Sequence, residues 1–143
     1  MPDAPPFDIR GDAFRVTATW RGIWDESVAL DYAAAARDQL TSGGPGARHL
    51  VVYANDLHHC DILARGVLTD LHHELRPRLR RTVFIASSAR MRGLCLWIAR
   101  VSDDENAKVF ANDRGVELWL AGEAGRIDDA RRRMSGSRDE GES

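Results

Sequence analysis

The chain has 143 residues, 43% of them hydrophobic and 29% charged, with a formal net charge of −2 and an isoelectric point near 6.2. That size suits one domain with a real core, and two full domains would be cramped. The balance excludes wholesale nucleic-acid binding, and no apolar run approaches the roughly 18 residues that stable membrane insertion requires.

The opening "MPDAPP", residues 1–6, reads as a flexible proline-rich start. It is acidic and has no hydrophobic signal core, so the expected location is cytoplasmic. The only cysteines, Cys60 and Cys95, are then expected to be reduced thiols. "FDIR" and "AFRVTATW" alternate: Phe14, Val16, Ala18 and Trp20 point one way, Arg15, Thr17 and Thr19 the other. With "GD" as the turn, this is a hairpin with one buried face.

"RGIWDES" reads as a loop rich in bulky residues. Asp25 or Ser27 caps the following helix. Its stripe is Val28, Ala29, Tyr32, Ala33, Ala36 and Leu40, and "TSGGPG" stops it. Leu50 to Ala54 form a short strand covered on both faces. Asn55 to Asp61 bend onto the start of a second helix, near Cys60 or Asp61. Leu63, Val67, Leu68, Leu71 and Leu75 line that helix. Pro77 ends it beside the basic run "RPRLRR", which reads as a solvated connection.

"TVFIA", residues 82–86, is another buried strand, and Ser87–Ser88 supply an N-cap. Met91, Leu94, Cys95, Ile98 and Val101 line a third helix, with Trp97 beside them. "AKVF", residues 107–110, is a short strand, and a last helix carries Val116, Trp119 and Leu120. Residues 122–134 are a possible terminal helix, and 135–143 have almost nothing to bury. The order β-β-α-β-α-β-α-β-α predicts an α/β fold: one mixed sheet of about five strands opening with an antiparallel hairpin, and about four helices.

His58, His59 and Cys60 are adjacent, so their side chains diverge. His72–His73 lie 14 residues beyond, about 21 Å if that span were helix. One metal cannot bridge the pairs, and no metal or other cofactor is expected. Cys60, with His58 or His59 as base, is a weak reactive-site candidate. Asp61 opposes a thiolate there, and no third orienting group is evident. The histidines late in the second helix suit its negative end.

Ser87 and Ser88, with Arg90 and Arg92 close behind, follow a strand's carboxyl end. They are anion- or ligand-binding candidates, although a serine pair is also an ordinary cap. No phosphate-loop glycine pattern accompanies them. Trp20, Ile23, Trp24 and Trp119 are interaction-surface candidates. Trp20 and Trp24 serve equally well as a lid over one end of the sheet.

The complete pattern resembles SpoIIAA-like, or STAS-type, domains, and more narrowly their small stand-alone bacterial members of largely unassigned function. The resemblance covers residues 7–121. It rests on "FDIRGDAFRVTATW", "HLVVYANDLHHCD", "LRRTVFIASS" and "AKVFANDRGVELWLAG". It implies a mixed sheet with helices largely on one side, in a regulatory or binding module. Sporulation-type members are switched by phosphorylation of a serine at the helix start after the central strand. The matching segment here, "NDLHHCDILARG", keeps Asp56 and Leu57 but has no serine or threonine, so the resemblance does not carry the phosphoswitch across. Related folds include lipid-exchange domains of the CRAL-TRIO type.

The expected function is a non-enzymatic regulatory or protein-interaction module, with an unknown protein partner and a homodimer as one possible assembly. A binder of a small molecule, lipid or anion is second. A cysteine-dependent enzyme is third, because no nucleophile, base and electrophile constellation is visible.

Overall fold

β1 (Phe7–Gly11) and β2 (Arg15–Trp24) form the expected antiparallel hairpin, registered from Phe7 opposite Trp20 to Gly11 opposite Val16. The computed structural model describes residues 4–42 and 46–122. The Asp12 carboxylate closes the turn, accepting from the backbone amides of Phe14 (2.7 Å) and Arg15 (3.0 Å). Buried Arg48 ties that turn to the next helix: its guanidinium donates to the carbonyls of Asp12 and Gln39.

The remaining elements follow in strict order: α1 (Glu26–Ser42), β3 (Arg48–Cys60), α2 (Ile62–Leu75), a 3-10 turn at Arg76–Arg78, β4 (Leu79–Ile85), α3 (Ala89–Val101), β5 (Ala107–Phe110) and α4 (Val116–Leu120). β3, β4 and β5 are added in parallel, giving the sheet order β1-β2-β3-β4-β5. Successive right-handed crossovers between neighbouring strands place their helices on the same side. Accordingly α1 packs on α2 and α2 on α3. Asp25 caps α1, accepting from Val28 N at 3.0 Å.

Three expectations are corrected. "RGIW" is strand rather than loop, because β2 continues beside an equally extended β3. Arg21 pairs with Asp56, Gly22 with Leu57, Ile23 with His59 and Trp24 with Cys60, across two register shifts. Gly22, at φ 77°, supplies the left-handed conformation at the irregularity. The bend expected from Asn55 to Asp61 is therefore absent, and β3 runs through Cys60. β4 also starts earlier, at Leu79, directly after the turn that Pro77 initiates.

The core lies between the sheet and the helices. It contains Val16, Ala18, Trp20 and Trp24 of β2, Leu50, Val52 and Ala54 of β3, and Phe84 of β4. Tyr32 and Ala36 of α1, Leu68 and Leu71 of α2, and Cys95 and Ile98 of α3 complete it. Trp20 and Trp24 are wholly buried, which corrects their candidacy as an interaction surface; of that loop trio only Ile23, 72% exposed, meets solvent. The chain divides into two compact units, Met1–Asn112 and Asp113–Ser143. In the second, Val116 and Leu120 are buried, Trp119 partly so, and Leu118 exposed. The expected terminal helix and tail fall almost wholly outside the described residues. Among those residues, no helix is long and apolar enough to cross a membrane.

Candidate functional site

The carboxyl edge of the parallel strands gathers most of the polar candidates. β3 ends at Cys60, and Asp61 caps α2 by accepting from Ala64 N at 2.9 Å. One turn later, Arg65 Nε reaches back and donates to the Cys60 carbonyl at 2.9 Å. This holds the guanidinium at the head of the helix.

β4 arrives alongside and hands over through Ser87–Ser88. Ser88 Oγ accepts from Met91 N at 3.1 Å and is the N-cap of α3. Ser87 N donates to Asn55 Oδ1 at 2.7 Å, and its carbonyl accepts from Arg92. The Ser88 hydroxyl and the Arg92 guanidinium are thus engaged in building the junction. Arg90 has no hydrogen-bond or ion-pair partner among the described residues. The anion-site quartet therefore separates: Ser87, Ser88 and Arg92 make the corner, and Arg90 is left facing outward.

Between the end of β3, the first turn of α2 and one face of α3 lies a groove of about 280 Å³, lined by Cys60, Arg65, Arg90, Met91, Gly93, Leu94 and Trp97. Among the described residues its charged lining groups are two arginines. Arg90, Leu94 and Trp97 follow three- to four-residue spacing, which aligns them on one helix face. Trp97 is 42% exposed and Ile62 at the head of α2 is 79% exposed. A Cβ added at Gly93 would meet nothing within 4 Å, so open space adjoins the helix backbone there.

Cys60 lies in this groove's lining but is 2% exposed. Burial pushes its thiol up to about 11, with Asp61 adding to the rise and Arg65 opposing it. His58 and His59 are exposed, and among the described residues neither makes a hydrogen bond to Cys60. The sequence-level dyad is not assembled. Among the described residues, no group of three or more His, Cys, Asp or Glu side chains is placed to hold a metal ion.

A second hollow, about 290 Å³, sits at the opposite, amino edge of β4 and β5. Arg76, Arg80 and Arg81 face Asp103, Asp104 and Glu105 there, and Arg76 pairs with Asp103 at 3.5 Å. Its charges offset one another, whereas those of the α2–α3 groove do not.

Sequence reasoning found Cys60 and Arg90 separately and missed that they share a groove with Arg65, Leu94 and Trp97. Trp97 did stand out, as a large apolar residue beside rather than within the α3 stripe. The partner face on α2 had no such signal.

No family model matches the chain, and no curated protein matches it. Among solved structures, the chain is similar to an uncharacterized protein of the DUF3478 family with a SpoIIAA-like fold, from Shewanella loihica PV-4. The TM-score is 0.62 at 15% identity, over 84% of this chain and 98% of that one. The fold expected from the order of elements is therefore the fold present: SpoIIAA-like α/β, with a five-stranded mixed sheet and an opening antiparallel hairpin.

Proposed function

We propose that the protein is a non-enzymatic binding module of regulatory type, and that the α2–α3 groove at the carboxyl edge of its sheet is the recognition site. The observation that carries this reading is the groove's composition: two arginines without acidic partners among the described residues, beside an apolar wall. Open α/β sheets place ligands at this edge. Apolar pockets with a few converging polar groups are the usual form of small-ligand sites. The state of Cys60 supports a non-catalytic role, since a thiol held near 11 is almost entirely protonated at neutral pH.

The test is a fragment screen by two-dimensional NMR, using neutral, cationic and anionic compounds. Shift changes are expected to centre on Arg65, Gly93, Leu94 and Trp97, and every fragment should be recovered chemically unchanged. Binding centred on the Arg76–Asn106 hollow would refute the assignment, and so would turnover of a fragment.

A second reading, a docking surface for a protein partner, is favoured by apolar side chains exposed near the same edge: Ile23, Ile62 and Leu63. A partner or second copy covering them would protect the amides of 61–65 from hydrogen exchange. Uniform exchange across a wide concentration range would count against self-association.

A further inference from the structure

We propose that the α2–α3 groove binds a small amphiphilic carboxylate, its head on Arg65 and Arg90 and its apolar body along Met91, Leu94 and Trp97. This deepens the binding-module reading and rests on it. Three observations select the ligand class. The charged groups in the lining are both guanidinium ions, and neither has a carboxylate partner among the described residues. A guanidinium presents a planar fork of donors that matches a carboxylate edge. The α3 side of the groove then offers methionine, leucine and a half-exposed tryptophan, surfaces that gain from covering by hydrocarbon.

Size narrows the class further. A cavity near 280 Å³ holds about nine water-sized groups. That seats a carboxylate with a body of about six to eight carbons, and because the groove is open a longer chain would project into solvent. The Nε of Arg65 is already held by the Cys60 carbonyl, so that guanidinium is oriented before the ligand arrives.

Octanoate is the probe, with 1-octanol, octylamine and octyl phosphate as comparators, in titration calorimetry on the full chain. Octanoate is expected to bind one site, at least tenfold more tightly than octanol, because the charge-assisted contacts exist only for the acid. Arg90→Gln should lose at least tenfold in octanoate affinity and leave octanol unchanged. Gly93→Phe should abolish binding of both by filling the groove, while Gly93→Ala retains it with an unchanged circular dichroism spectrum. Four results would overturn the proposal: no saturable octanoate binding at millimolar concentration, equal affinity for octanol or octylamine, tighter binding of octyl phosphate, or no effect of Arg90→Gln. If neutral fragments still occupy the groove when octanoate does not, the ligand class fails and the recognition site stands.

Discussion

At the scale of single residues, His72 and Cys60 show burial overriding reactivity. His72 faces the core from the last turn of α2, its ring 5.3 Å from that of Phe84, with neither ring nitrogen hydrogen-bonded among the described residues. Burial lowers its pKa from 6.5 to about 4. The unfolded chain therefore takes up a proton as pH falls through 6.5, and the folded chain does so only near 4. Stability is lost across that window and levels off below it. The full shift corresponds to about 3 kcal/mol. Denaturant titrations of wild type and His72→Leu from pH 7 to pH 4 isolate this contribution from that of the carboxylates. The difference between the two should move by about that amount in favour of the variant; a constant difference would show that His72 is solvated or hydrogen-bonded. Cys60 gives the companion test. With its thiol near 11 and 2% exposed, it should react with a thiol reagent only after unfolding. Rapid labelling of folded protein would refute the burial and reopen the enzyme reading. Neither state was legible in the sequence, because "LHHCD" and "LHHEL" look alike until the strand and helix faces are known.

At the scale of elements, the extension of β2 and β3 is what brings Cys60 to the carboxyl edge beside Arg65. Gly22 makes that extension possible by taking φ 77° at the irregularity opposite Leu57. Gly22→Val should cost about 1 to 2 kcal/mol, since a β-branched side chain resists the left-handed region. Its damage should centre on Arg21–Trp24 and Leu57–Cys60, as faster amide exchange there than in β4. Uniform change across the sheet would show that the glycine is not a local hinge of the pairing. Asp61→Ala removes the cap of α2 and should cost about 1 kcal/mol. Elements with local signals were legible: the Ser88 cap, the Met91, Cys95 and Ile98 part of the α3 stripe and the strand at 107–110 all follow from composition and spacing, whereas Val101, expected in that stripe, is 52% exposed at the end of the helix. The extended strands were not, because "RGIW" and "NDLHHC" carry turn-forming and polar residues whose strand state comes from pairing with each other. That pairing joins segments about 35 residues apart, and tertiary pairing of this kind overrides local preference. The groove was hidden for the same reason: five of its lining residues lie on α3, but Cys60 comes from the end of β3 and Arg65 from α2, and only the fold brings the three elements together.

At the scale of the molecule, the first unit is organised around one aromatic cluster that joins β1, β2, α1 and β4. Phe7 stands 6.1 Å from Trp24 and 5.5 Å from Tyr32, ring centre to ring centre. Trp20 stands 5.4 Å from Trp24, 5.5 Å from Tyr32 and 6.0 Å from Phe84. Aromatic pairs in this distance range attract beyond the area they bury. Trp24 also donates through Nε1 to the carbonyls of Arg21 (2.9 Å) and Pro6 (3.2 Å), fastening the chain before β1 to the end of β2. Truncation at Trp24 removes packing and both hydrogen bonds, so Trp24→Ala should cost about 3 to 5 kcal/mol. The buried Tyr32 hydroxyl, by contrast, makes no hydrogen bond of good geometry among the described residues. Its polar neighbour, the Trp20 indole N–H, compensates only in part for its burial, so removing the hydroxyl forfeits little and the ring contacts survive. Tyr32→Phe should therefore be neutral or mildly stabilising by urea denaturation, despite lying only 5.4 Å from Trp24. A large loss in Tyr32→Phe would mean that a buried water or a shifted indole satisfies the hydroxyl, and the core would then hold a polar network rather than a purely aromatic one.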